Sequence, residues 1–88
     1  MNNFILKINC KDKPGIISSV SNFLFKNRYN ILESSQFRDI KTNNFFMRVH
    51  FKSIVNSIKK NEIKVLEKKF LSISNKFRMN FSFYDTSK

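Results

Sequence analysis

The run FILKINCKDKPGIISSVSNFLF, residues 4–25, changes its period in the middle, and that change decides the fold. Up to Cys10 the apolar residues alternate. Phe4, Leu6, Ile8 and Cys10 fall on one side and Ile5, Lys7 and Asn9 on the other, the two-residue period of a strand with one buried face. From Pro14 onward Ile16, Ile17, Val20, Phe23 and Leu24 recur at i, i+1, i+4, i+7 and i+8, one stripe of an amphipathic helix. The spacing predicts a helix over residues 14–26. Pro14 suits its first turn, and Asp12 or Lys13 is the expected cap. Strand passes directly into helix through the short joint Asp12 to Ile16.

Working outward, Asn27 is the expected left-handed residue at the end of the helix, because Asn tolerates positive φ better than any residue but Gly. The chain is expected to turn at Arg28 and Tyr29. Asn30 to Asp39 has the mixed polarity of an edge strand, and Thr42, Asn43 and Asn44 supply a turn. Phe45, Met47, Val49 and Phe51 then alternate with Phe46, Arg48 and His50, so these two strands form a hairpin. After Ser53 to Lys60, read as a loop or a short helical lead-in, Asn61 can cap a second helix with the stripe Ile63, Leu66, Phe70, Ile73 and Phe77. Met79, Phe81 and Phe83 alternate again as a last strand. The order is βαββαβ. Right-handed crossovers place strands one and three at the centre of a four-stranded antiparallel sheet with both helices on one face. This is an α+β ferredoxin-like sandwich, expected as one domain over residues 1–88.

Composition narrows the function classes. The 88 residues are 41% hydrophobic and include 11 Phe, enough to build a core without staples. Cys10 is the only cysteine, which excludes an intrachain disulfide and favours a reducing compartment. The apolar runs are far shorter than the ~18 residues of a membrane span, so a cytoplasmic protein with no membrane partner is expected. The net charge of +11 would ordinarily point to nucleic acid. However, Phe, Ile, Lys, Asn and Tyr make up 48 of the 88 residues, the signature of AT-rich codons, and the basic residues are scattered from Lys7 to Lys88.

The inventory for catalysis is thin: one His, one Cys and six carboxylates with no convergent spacing. His50 reads as a solvated or interface side chain on the polar face of strand three, and Cys10 as an inert buried thiol. No pair of Cys or His has metal-ligand spacing, and Gly15, the only glycine, cannot make a phosphate loop. No metal, cofactor or catalytic group is expected within these residues. The joint Asp12-Lys13-Pro14-Gly15-Ile16 holds the only Pro and the only Gly of the chain. Gly15 lets a ligand or another chain approach the backbone, and the free N–H groups of the helix start offer an anion site.

Asp12-Lys13-Pro14-Gly15-Ile16, following a short strand within βαββαβ, resembles the D-R-P-G-I signature of ACT domains, small modules that bind amino acids and regulate metabolic enzymes. Ser21 to Phe25, Asn30 to Ser34, Gln36-Phe37 and above all Phe45-Phe46-Met47-Arg48-Val49 resemble more closely the N-terminal ACT domain of formyltetrahydrofolate deformylases. The similarity runs from Phe4 to Asp85. It implies a regulatory domain of a hydrolase that converts 10-formyltetrahydrofolate to formate and tetrahydrofolate for purine biosynthesis. The formyltransferase-like catalytic domain of such an enzyme lies outside these 88 residues. It also implies an effector site made of Asp12, Lys13, Pro14, Gly15 and Ile16 with Asn30 and Ile31, glycine or methionine as effector, and a homodimer formed through strand two and helix one. Two alternatives stand beside it: a free-standing amino-acid sensor acting through a protein partner, and an RNA-binding domain of the same topology, against which the glycine-free strand three argues.

Overall fold

Alternating burial along the strands sorts the chain into a covered and an open face. The computed structural model describes residues 3–55 and 61–86. Its elements are β1 (Asn3–Lys11), α1 (Ile16–Lys26), β2 (Tyr29–Asp39), β3 (Asn44–Ser53), α2 (Glu62–Phe77) and β4 (Asn80–Asp85). The sheet is antiparallel in the order β2-β3-β1-β4, with β1 and β3 central as the sequence predicts. Phe4, Leu6, Ile8 and Cys10 stand opposite Phe51, Val49, Met47 and Phe45, and all eight are buried. Val20, Phe23 and Leu24 of α1 and Leu66, Phe70 and Phe77 of α2 are buried in the same core, so both helices lie on that face. Helix α1 packs beside β2 and α2 beside β4.

Aromatic side chains fill the space between these layers. Phe51 lies 5.6 Å from Phe4, 5.2 Å from Tyr29 and 6.2 Å from Phe83, centroid to centroid. Phe70 meets Phe23 of α1 at 5.1 Å edge-on and so joins the two helices. Such contacts add ~0.5–1.5 kcal/mol per pair to the burial of each ring.

Several local expectations give way to the backbone. Helix α1 begins at Ile16 and not at Pro14, and its cap is Gly15 at φ 89°, ψ 1°, neither Asp12 nor Lys13. At the far end Asn27 stays at φ −93° and Arg28 takes the left-handed conformation at φ 67°. Asn27 instead turns its side-chain amide back to the Phe23 carbonyl at 2.8 Å, and that bond is available only with Asn27 close to helical geometry. Asn61 does sit at the start of α2, but in a left-handed conformation with no side-chain capping bond. Of the lead-in expected at Ser53 to Lys60, residues 56–60 lie outside the described residues.

Tyr29 departs furthest from its expected place in a turn. It opens β2, its ring is buried against Phe4 and Phe51, and its hydroxyl donates a hydrogen bond to the carboxylate of Glu62 at the start of α2. Burial and the Glu62 carboxylate together push the phenol well above its ordinary value near 10. Two residues further on, β2 carries a bulge. Ile31 faces Phe51 and Glu33 faces His50, so Leu32 is an extra residue between neighbouring partners.

Phe51→Ala should cost ~3–5 kcal/mol in urea denaturation because it empties the centre of the core. Phe25→Ser, at a side chain 74% exposed on α1, should change stability by less than ~0.5 kcal/mol. For Tyr29 the folded pKa lies above the unfolded one, so its contribution is whole below about pH 10 and is lost as pH rises beyond it. An absorbance titration at alkaline pH should show one tyrosine ionising late and together with unfolding, a feature absent in Tyr29→Phe.

Candidate functional site

The joint between β1 and α1 is shaped first by Gly15. A side chain there would meet nothing within 4 Å, so the glycine is required by its positive φ and not by crowding. Gly15 also leaves α1 without a side-chain cap, and its first turn holds no acidic residue. The opening N–H groups of a helix have no intrahelical acceptors. The positive end of the helix dipole adds to their attraction for an anion.

The joint is tied to the tip of the β2–β3 hairpin. The Asp12 N–H donates to the Asn43 carbonyl at 2.9 Å, and Lys11 Nζ donates to the Thr42 carbonyl at 2.8 Å. Asp39 organises that tip, accepting from the Lys41 N–H at 3.1 Å and the Thr42 hydroxyl at 2.9 Å. From the end of β2, Arg38 Nε reaches Asp12 Oδ2 at 2.6 Å. Arg38 stands opposite Phe45, which stands opposite Cys10, so this row crosses the sheet on the helix side directly beneath the joint.

Arg38, Phe45 and residues 12–18 bound a cleft of about 430 Å³, within the size range of small-molecule sites. All five expected residues of the joint, Asp12 through Ile16, line it. Asn30 and Ile31 do not. Asn30 pairs with Lys52, which pairs with Asn3 at the start of β1, whereas the joint follows Lys11 at its end. Eight residues of strand, roughly 26 Å at ~3.3 Å each, separate them within one chain. Asn30 is exposed on the edge strand, and Ile31 is half-buried against the core.

Arg38 is the site residue that the sequence reading missed. The bulge at Leu32 is the reason: strict alternation from Ile31 would place Phe37 on the helix side, and the extra residue puts Arg38 there instead. Phe37 turns to the open face and meets Phe46 at 6.1 Å. A second hollow, of about 520 Å³, lies on that open face between Phe37, Phe46, Arg48, Lys7 and Tyr84. Arg48 is held there by Glu33 at 3.8 Å, and Lys7 lies 5.3 Å from the Tyr84 ring centre. His50 lies on the same face and is half-buried; its Nε2 is covered and has no hydrogen-bond partner among the described residues.

Nothing around the cleft activates a nucleophile. Cys10, below it, is buried, and desolvation pushes its thiol pKa up, with Lys13 opposing and Asp12 adding a little. Among the described residues no three His, Cys, Asp or Glu side chains gather to hold a metal ion. No helix among the described residues is long and apolar enough to cross a membrane. What the cleft offers is the carboxylate of Asp12, the guanidinium of Arg38, the ammonium of Lys13 and a set of backbone donors, groups that bind charge without cleaving bonds.

The ACT domain profile matches residues 4–67 of this βαββαβ chain. The chain belongs to the ACT domain family. It is 40% identical over 78 residues to the formyltetrahydrofolate deformylase of Bacillus subtilis, a match that takes in 88% of this chain and 25% of that protein. A crystal structure of a formyltetrahydrofolate deformylase from Pseudomonas syringae superposes with a TM-score of 0.87 at 30% identity, covering 100% of this chain and 28% of that one. An ACT domain protein from Streptococcus pneumoniae shares the fold, with a TM-score of 0.79 at 21% identity over 98% of this chain and 91% of that one. The chain thus spans about a quarter of the length of its deformylase relatives, and the part it matches is their ACT region.

Gly15→Ala should destabilise the protein by ~1–2 kcal/mol, the torsional cost of a side chain at positive φ, with no further steric penalty. Thermal or urea unfolding measures it, and a loss above ~3 kcal/mol would show that space and not torsion is limiting.

Proposed function

We propose that this ACT domain is the amino-acid-sensing part of a formyltetrahydrofolate deformylase, the hydrolase that releases formate and tetrahydrofolate from 10-formyltetrahydrofolate in support of purine biosynthesis. Residues 1–88 form its regulatory domain and act in the cytoplasm. The catalytic formyltransferase-like domain of the parent enzyme is the partner through which effector binding is felt. The observation that carries the effector reading is the meeting of Asp12 and Arg38, opposite charges beside an uncapped helix start, in a cleft with Pro14, Ile17 and Phe45 on its walls. An amino acid presents the complementary pair. Its carboxylate suits the helix N–H groups and Arg38, its ammonium suits Asp12, and an apolar side chain such as that of methionine suits the walls. The family resemblance adds glycine as the second candidate.

Asn30 and Ile31 enter the same reading through a second copy. Strand β2 is a sheet edge with unpaired backbone groups, and Phe25 and Leu32 on the same flank are exposed. Antiparallel pairing of β2 with its own copy about a two-fold axis at Ser34, the middle of the strand, sets Asn30 of one chain across from Arg38 of the other. Each cleft then lies beside the Asn30–Ile31 end of the neighbouring molecule's β2, and α1 of each copy lies along the seam. A free-standing sensor that acts on a separate protein would use the same site.

The open face supports a rival, because Phe37, Phe46 and Tyr84 beside Lys7 and Arg48 could stack and neutralise a single-stranded nucleic acid. Salt separates the two. Calorimetric titration with glycine and methionine should give affinities that change little between about 50 and 200 mM salt, since a zwitterion has no net charge, and Asn30→Ala should weaken them. RNA binding whose log affinity falls by ~0.7 per contacted phosphate with log salt, without any response to amino acids, would overturn the effector reading. Sedimentation should show a dimer that Phe25→Asp shifts towards monomer.

A further inference from the structure

The Arg38–Asp12 ion pair does more than close a loop. Arg38 Nε and Asp12 Oδ2 are 2.6 Å apart, yet the Arg38 side chain is 58% exposed and that of Asp12 is 23% exposed. A pair so open to water contributes little to stability and separates at small cost. Both partners line the cleft. In the empty site each neutralises the other, so neither charge stands unpaired beside the helix start.

We infer that Arg38 is a specificity-determining residue of this site and that its pair with Asp12 stands in for the two charges of the ligand, so that the cleft selects zwitterions. The inference rests on the effector reading above and adds to it the rule by which ligands are accepted. A ligand carrying both an ammonium and a carboxylate exchanges one internal pair for two external ones: ammonium on Asp12, carboxylate on Arg38 and the helix N–H groups. The charges of Asp12 and Arg38 are matched before and after. An amine without a carboxylate takes Asp12 and strands Arg38 next to its own positive charge, to Lys13 and to the positive end of α1. A carboxylate without an amine takes Arg38 and strands Asp12. The second case is the milder, because Lys13 and the helix end remain to favour an anion. The expected order is therefore amino acid first, plain carboxylate second and plain amine last.

Arg38 has this role because of its position. The bulge at Leu32 sets its side chain on the helix side, opposite Phe45, and from there the guanidinium spans to the joint. Its planar fork can hold a carboxylate through two parallel bonds, which an ammonium cannot do.

The test compares methionine, methioninamide and 4-(methylthio)butanoate on the wild-type chain and on Arg38→Gln, Arg38→Lys and Asp12→Asn, by calorimetry with thermal melts confirming that each variant is folded. The wild type should bind methionine about tenfold or more tighter than methioninamide, the size expected for one charge-assisted contact. In Arg38→Gln methionine should weaken by a similar factor while methioninamide does not, so that the preference collapses. Arg38→Lys should fall between the two. In Asp12→Asn the loss should be confined to ligands with an ammonium, leaving 4-(methylthio)butanoate unaffected or improved. If methionine binds the wild type but Arg38→Gln keeps the same preference over methioninamide, Arg38 is not the selecting residue and the effector reading alone survives. No binding of methionine or glycine to the wild type would overturn both.

Discussion

One extra residue in an edge strand sets the chemistry of this domain. Leu32 has no partner of its own in β3, and from that point on every side chain of β2 lies on the face opposite to the one plain alternation would give it. Ser34, Gln36 and Arg38 follow the buried residues of β3, while Glu33, Ser35 and Phe37 follow the exposed ones. The bulge puts Phe37, 64% exposed, over the open face beside Phe46 and brings Arg38 to Asp12. Without it the joint would face an aromatic ring and lack its guanidinium. The bulge lies in an edge strand, where a local break in pairing costs least.

The two ends of the β2–β3 hairpin are anchored by different means. At the tip, backbone bonds from Asp12 and a lysine bond from Lys11 hold the joint to the turn, where solvent also reaches. At the base, Tyr29 is locked by rings on two sides and by Glu62. The base is thus organised by packing and the tip by polar contacts, which exchange with water and with a ligand more readily.

The sequence revealed the fold because the dominant signal was burial. Period two from Phe4 to Cys10 and from Phe45 to Phe51, and the stripes of α1 and α2, all required one face to meet the same core, and the structure follows them. The errors lie where backbone torsion or a single contact decides. Gly15 displaced Asp12 and Lys13 as cap because it alone reaches φ 89° without cost. Asn27 was drawn back into helical geometry by its own side chain, which moved the left-handed position to Arg28. Tyr29 looked like a turn residue because the hydroxyl's partner, Glu62, is 33 positions away along the chain. Of the site, the five residues of the joint were legible as a contiguous motif. Asn30 and Ile31 came from resemblance and lie at the other end of the strand. Arg38 was hidden because a bulge leaves no periodic mark in a strand that is polar throughout.

The open space in front of Gly15 bears on how this position can vary over evolutionary time. A glycine kept by crowding rejects substitutions according to their bulk, but a glycine kept by torsion rejects them according to their tolerance of positive φ. Asn and Asp visit that region several times more often than other residues. The accepted replacements at position 15 should therefore rank Asn and Asp ahead of the smaller Ala, with β-branched residues last. Asp, the replacement with a charge, would place a carboxylate of the chain's own at the helix start, and a lineage that adopted it would keep the fold while occupying its own site.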